Sequence, residues 1–125
     1  MRTAVQEVAL RRDDALVQSE TTVAAPHPHV LVLSTAVPDI GLTVITTYTG
    51  ADDVATVAVD LVLGVRPRAS NLPRRLRRES VPVTHAREQC LLDHARQVLE
   101  VLNASGASRW TIDVSDDAVA QASSV

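Results

Sequence analysis

The sequence predicts a single α+β domain, in which an antiparallel sheet of about five or six strands carries one long helix on one face. In the first half of the chain, short polar turns separate three consecutive segments of alternating apolar residues, which is typical of an antiparallel meander. Further along, residues 84–103 repeat apolar side chains at helical spacing. A length of 125 residues, 46% of them apolar, suits one domain.

The first 24 residues are interpreted as a hairpin. Residues 3–10 and 15–24 are rich in alanine, valine and threonine, and they flank a polar turn at residues 11–14. A helix over residues 5–17 is the alternative that the pattern leaves open. The proline-rich stretch 25–29 ends this region, because proline lacks a backbone donor and favours an extended residue before it.

Three strands are predicted next, over residues 29–37, 42–49 and 54–63. The segments 38–41 and 50–53 separate them and contain the proline, aspartate and glycine that tight turns favour. In the third strand, Val57 and Val59 fall on one face and Ala58 and Val62 on the other. Both faces of this strand are therefore expected to be at least partly covered.

Residues 64–83 are predicted to form a long loop. Pro67, Pro73 and Pro82 interrupt any strand or helix periodicity in this segment. Long loops in compact domains are usually functional or disordered, so this segment is where a binding role is expected.

The long helix is predicted to begin with Thr84 as its cap and to end near Asn103, with Gly106 as a stop signal. Residues at helical spacing form the stripe that packs on the sheet: Leu91, Ala95, Val98 and Leu102. Four polar residues are expected on the opposite, solvated side: Asp93, Arg96, Gln97 and Glu100. Residues 109–114 are predicted as a last strand, and Ser115 with two following aspartates predicts a short terminal helix.

Positive charge is concentrated in the predicted loop. Six of the twelve arginines lie there: Arg66, Arg68, Arg74, Arg75, Arg77 and Arg78. Offset by Glu79, they give residues 66–79 a formal charge of about +5, and since the whole chain carries −3, the rest carries about −8. Arginine suits bidentate contacts with carboxylates and phosphates, so this cluster is the candidate partner-binding site.

No catalytic or metal site is predicted, and no cofactor is expected. The four glycines form no phosphate-binding loop, and no nucleophile motif is present. A metal set drawn from His27, His29, Cys90 and His94 matches no familiar zinc spacing, and His94 is expected at the boundary of the helix stripe.

Cys90 is the single cysteine and is expected to be a small buried hydrophobe. A chain that can form no internal disulfide suits a reducing compartment, so a cytoplasmic location is expected. No apolar run is long enough to span a membrane, and Glu7 interrupts the place where a signal peptide would need its apolar stretch.

Three segments resemble the core strands of the suppressor-of-fused-like domain family: PHVLVLST at 28–35, LTVITT at 42–47 followed by Gly50, and VDLVL at 59–63. In that family such strands follow in this order and a helix comes after them, as the helix from Thr84 does here. The match covers about a third of the chain. The resemblance implies a bacterial protein-binding module, often an immunity protein that neutralises a toxin, and it assigns no role to any residue.

The sequence therefore predicts a non-enzymatic protein-interaction module, an immunity-like binder or accessory subunit. It is expected to bind an acidic protein surface through residues 66–78 and an uncovered strand edge. One alternative is a small nucleic-acid-associated regulatory protein that uses the same arginines. Another is a structural subunit of a homo-oligomeric assembly, in which neighbouring copies complete the core.

Overall fold

A computed structural model describes residues 2–64, 72–104 and 106–124. Within these ranges the chain is α+β, as predicted, with nine strands in two antiparallel sheets and two helices. In chain order the elements are β1 (Arg2–Gln6), β2 (Val8–Arg12), β3 (Ala15–Val17), β4 (Glu20–His27), β5 (Val30–Val37), β6 (Leu42–Ala51), β7 (Val54–Leu63), β8 (Arg74–Pro82), α1 (Val83–Asn103), β9 (Trp110–Val114) and α2 (Asp116–Ser124).

The larger sheet has six strands in the order β1-β4-β5-β6-β7-β8. Its centre, β5 to β7, confirms the three predicted strands. A short 3-10 turn, Pro38–Ile40, joins β5 to β6 and ends at Gly41, whose φ of 61° is a left-handed conformation that glycine adopts without steric cost. Asp52 and Asp53 alone join β6 to β7, and this short connection fixes the register from Ala51↔Val54 onward.

The predicted N-terminal hairpin is only partly right, and the alternative helix over residues 5–17 is wrong. β2 and β3 do pair across Asp13 and Asp14, but β1 pairs with β4 in the larger sheet. β2 instead joins a second sheet of order β3-β2-β9, where Val8 lies opposite Val114. Because β1 and β2 belong to different sheets, Leu10 is completely buried against residues of β9 and α1. A continuous hairpin would not provide this burial of apolar surface.

The predicted loop over residues 64–83 is wrong for its second half. Arg74–Pro82 is the strand β8, which pairs antiparallel with β7 from Leu61↔Arg74 to Val54↔Pro82, with one bulge opposite Val59 and Asp60. Pro73 precedes the strand and Pro82 is its last residue, so neither interrupts the pairing. An edge strand also tolerates charged residues along its length. Residues 65–71, including Arg66 and Arg68, lie outside the described residues.

The helix α1 confirms the prediction for residues 84–103 within one residue, but Thr84 is not its cap. Pro82 occupies the N-cap position, and the Val83 N–H donates to the carbonyl of Asp53 at 3.1 Å. At the other end the Gly106 N–H donates to the carbonyl of Asn103. The predicted apolar stripe is buried against the inner face of the larger sheet: Leu91, Ala95, Val98 and Leu102.

The fold contains a second helix beside the one long helix. α2 begins where it was expected, and the hydroxyl of Ser115 accepts a hydrogen bond from the Ala118 N–H at 3.1 Å. Ala118 and Ala122 are buried, and α2 packs on α1 and β1. Neither helix of the described chain is long and apolar enough to cross a membrane.

Candidate functional site

The four arginines of β8, Arg74, Arg75, Arg77 and Arg78, form what we call the arginine edge. β8 is the last strand of the larger sheet, and β7 is its one neighbour among the described strands. The hydrogen-bonding groups along its other side are therefore available for pairing. The fold thus gathers four of the six arginines of the predicted cluster on one sheet border.

Carboxylates of the same chain neutralise two of these arginines. Arg75 Nε lies 2.7 Å from Asp60 Oδ1, and Arg77 Nη1 lies 3.5 Å from Glu100 Oε2. Arg74 and Arg78 are exposed, and within the described ranges neither has an ion pair or a side-chain hydrogen bond. Positive charge therefore remains available at the arginine edge.

A cavity of about 260 Å³ lies between β8 and α1, beside the arginine edge. Its walls include Leu76, Arg77, Gln97 and Glu100. Arg77 Nε and Nη2 are buried here, and neither has a hydrogen-bond partner among the described residues. Gln97 is predicted to face solvent, but it is only 2% exposed, because β8 covers the side of α1 that the predicted loop over residues 64–83 would leave open.

A second cavity, of about 380 Å³, lies near the start of α1. Its walls are mostly apolar, and the polar part of the lining comes from four residues: His29, Tyr48, Asp52 and Arg87. The residues weighed for a metal site in the sequence were His27, His29, Cys90 and His94. In the described part of the chain no three His, Cys, Asp or Glu side chains are grouped as a metal site requires.

His94 lies in the core rather than at its boundary. Its ring is 1% exposed, with Nε2 2.8 Å from Thr35 Oγ1 and Nδ1 2.8 Å from Thr46 Oγ1. Thr35 also contacts Thr21 Oγ1 at 2.8 Å. Burial lowers the pKa of His94 to about 4, so the ring is neutral at pH 7. Since hydroxyls occupy both nitrogens, His94 ties α1 to the sheet.

Asp93 also faces inward, contrary to the prediction. Tyr48 Oη donates to Asp93 Oδ2 at 2.6 Å, and Arg96 donates to Oδ1. Burial alone would raise the pKa of Asp93, but these two hydrogen bonds, together with the charge of Arg96 and the amide of Gln97, hold the pKa below its usual value. Burial and the neighbouring carboxylate raise the pKa of Tyr48. The phenol therefore acts as a donor that fixes α1 to β6.

Cys90 is buried and unpaired, as predicted. Burial raises the pKa of its thiol to about 11, so the thiol is protonated at neutral pH. A protonated, buried thiol is a poor nucleophile. Cys90 accordingly acts as a small core residue between α1 and the sheet.

The Tyr48→Phe variant is expected to lose about 1.5–3 kcal/mol of unfolding free energy, because a hydrogen bond to a half-buried carboxylate disappears without a substitute. Urea unfolding followed by circular dichroism measures this loss. An Arg96→Gln variant serves as the comparison, because Arg96 is exposed and its removal leaves the phenol bond in place. Equal stability of Tyr48→Phe and the parent protein would contradict the assignment.

Comparison with known proteins gives no match to a protein-family model, to a curated protein or to a solved structure. The resemblance to the suppressor-of-fused-like family therefore stays a prediction.

Proposed function

We propose that this protein is a non-enzymatic protein-interaction module whose arginine edge binds an acidic, extended segment of a partner protein. The observation that carries the proposal is the position of β8, a nine-residue strand with four arginines on the open border of a six-stranded sheet. An extended segment can add to such a border as a further strand, with main-chain hydrogen bonds supplying affinity and side chains supplying selectivity.

The charges along β8 indicate the chemistry of the partner. Two copies pairing through β8 would bring like charges together, which destabilises a cross-strand pair. An acidic segment would instead place carboxylates beside Arg74 and Arg78, the exposed arginines without a described ion pair.

A short acidic segment fits this protein better than a nucleic acid does. The chain outside residues 66–79 carries a formal charge of about −8, so a long polyanion would be repelled by most of the surface. A strand that follows β8 contacts the positive border alone. The proposal needs no cofactor, and it includes a cytoplasmic location, which suits the free thiol of Cys90.

The test uses a fluorescein-labelled decapeptide of repeated Glu-Glu-Val-Val, with fluorescence anisotropy as the measurement. This order places glutamates on both faces of an added strand, because Arg74 lies opposite Leu61 and Arg78 opposite Ala58, on different faces of the sheet. We expect binding that weakens with added salt and that falls about tenfold or more in the double variant Arg74→Glu/Arg78→Glu. A lysine–valine decapeptide should not bind. The matched control is Arg12→Glu/Arg109→Glu, which reverses two exposed arginines near the smaller sheet and should leave the affinity unchanged.

The same variants decide between the proposal and its alternative. A single-stranded DNA decamer that binds more tightly than the acidic peptide, and is lost in Arg74→Glu/Arg78→Glu, would identify a nucleic-acid partner instead. Acidic-peptide binding that is equal in the double variant and in its control would remove the arginine edge as the binding site.

A further inference from the structure

The cavity of about 260 Å³ between β8 and α1 has unused hydrogen-bonding capacity on its walls. Arg77 Nε and Nη2 and Gln97 Nε2 are buried, and none of them makes a hydrogen bond with a described residue. All three atoms are donors. Buried polar groups normally have partners, and each one without a partner costs free energy. The cavity therefore suits an occupant that brings acceptor oxygens.

Arg77 holds its two unused donors as a fork. Its Nε–H and one Nη2–H point in nearly the same direction, which is the geometry that a carboxylate accepts with both oxygens. Glu100 Oε2 lies 3.5 Å from Nη1, which is not part of the fork, so this ion pair leaves the fork unoccupied. Glu100 is also half-exposed, and solvent and salt therefore screen its charge.

Gln97 adds a third donor from α1. Its side chain is only 2% exposed and lines the cavity opposite β8. The amide lies close enough to Asp93 to lower the pKa of that carboxyl, but Nε2 carries two N–H groups, so a donor remains for a ligand. The strand and the helix therefore both supply donors to the cavity.

Four apolar side chains complete the walls of the cavity: Val59, Leu76, Val101 and Ala104. Leu76, Glu100 and Ala104 are exposed, whereas the three donors are buried, so the cavity opens to solvent on the side away from the donors. A ligand therefore enters with its polar group first and leaves its apolar part against the walls. Because the Arg77 donors are buried, a ligand oxygen reaches them after a small rotation of this long side chain.

We propose that this cavity binds a short monocarboxylate, whose carboxylate accepts from the Arg77 fork and from Gln97 while its hydrocarbon chain packs on the apolar walls. The volume equals that of about nine waters at about 30 Å³ each, which sets the ligand at about four to six carbons. Inorganic phosphate suits the cavity less well, because it has no apolar part to bury. This inference goes beyond the proposed peptide binding and does not depend on it.

Titration of the isotope-labelled protein with sodium hexanoate, followed by NMR, tests the site. We expect saturable binding with a Kd of about 1 mM and amide shifts centred on residues 76–77 and 97–104. Acetate should bind about tenfold more weakly or worse, because it lacks the methylenes that the apolar walls would bury. Hexan-1-ol is the matched neutral ligand, and it should also bind about tenfold more weakly or worse, since it cannot accept with two charged oxygens.

Two variants test the donors. Arg77→Lys keeps the charge but loses the fork, so it should weaken hexanoate binding about tenfold or more. Gln97→Leu keeps a side chain of similar volume and removes the amide, so it should fold and weaken binding about fivefold. The matched controls are Arg109→Lys and Gln89→Leu, since both residues are exposed, lie outside the cavity walls and should leave the affinity unchanged. Circular dichroism checks that each variant is folded.

Two results would overturn the proposal. Hexan-1-ol that binds as tightly as hexanoate would leave an apolar cavity without carboxylate recognition. Absence of any amide shift at about 20 mM hexanoate, or equal affinity in the parent protein and both variants, would remove the site itself and leave water as the partner of the buried donors. Hexanoate binding in Arg74→Glu/Arg78→Glu and peptide binding in Gln97→Leu measure the cavity and the arginine edge separately, so one proposal can fail without the other.

Discussion

Replacing His94 by alanine is expected to lower the unfolding free energy by about 3–5 kcal/mol. The substitution removes a wholly buried ring from between α1 and the larger sheet and leaves a cavity. It also removes the hydrogen-bond partner that Thr35 and Thr46 share, and buried hydroxyls without a partner carry a desolvation cost. The total unfolding free energy of a domain is about 5–15 kcal/mol, so the expected loss is a large share of it.

Urea unfolding monitored by the fluorescence of the buried Trp110 measures the effect. His85→Ala is the matched control, because His85 is exposed on the same helix and should change stability by less than about 0.5 kcal/mol. If His94→Ala does not fold, His94→Gln retains hydrogen-bonding groups and should fold with a smaller loss. A fully stable His94→Ala protein would show that the ring contributes nothing to the core.

Acid is expected to destabilise the protein between pH 6.5 and pH 4 through the same side chain. The pKa of His94 is about 4 in the folded protein, below its ordinary value of 6.5. Between pH 4 and pH 6.5 the His94 ring is therefore protonated in the unfolded chain but not in the folded protein. The free energy of unfolding consequently rises with pH up to 6.5 and is constant above it. The expected loss at pH 4 is about 3 kcal/mol relative to pH 7.

The pH range of the expected loss distinguishes the titration of His94 from that of its neighbour Asp93. The lowered pKa of Asp93 adds stability that is lost only as the pH falls below the usual aspartate value of 3.8. Denaturant titrations at several pH values from 7.5 to 4.2 give the free energy of unfolding as a function of pH. Its slope should be smaller in His94→Gln than in the parent protein, while the exposed His27, His29 and His85 remain in both proteins. An unchanged slope in that variant would assign the acid sensitivity to other groups.

The elements that the sequence predicts well are those set by neighbouring residues. β5, β6 and β7 follow from alternation between short turns, and α1 follows from the spacing of Leu91, Ala95 and Val98. β8 was missed because an edge strand needs no apolar alternation, and its prolines lie just before the strand and at its last residue. β1 and β2 enter different sheets on either side of Glu7, because β1 pairs with β4 and β2 pairs with β9. No local sequence pattern contains these distant pairings.

The candidate site was likewise predictable only in the features that neighbouring residues determine. The charge of the arginine cluster is visible in the sequence, but its strand conformation and the neutralising partners Asp60 and Glu100 depend on pairing across the fold. The burial of His94 had a signal, since it lies three residues after Leu91 and four before Val98, on the same side as the apolar stripe. Its partners Thr35 and Thr46 stand at inward positions of the predicted strands, so their alternation also carried the information.

The pairing of β2 with β9 has a consequence for biosynthesis. Val8 pairs with Val114, so β2, the central strand of the smaller sheet, is translated early, and its partner strand β9 leaves the ribosome more than 100 residues later. Contacts so distant along the chain form slowly, because the intervening loop must close first. The meander from β4 to β7 joins neighbours and can assemble while synthesis continues. We expect the nascent chain to expose Leu10 until β9 emerges, which makes the smaller sheet the last part of the molecule to consolidate.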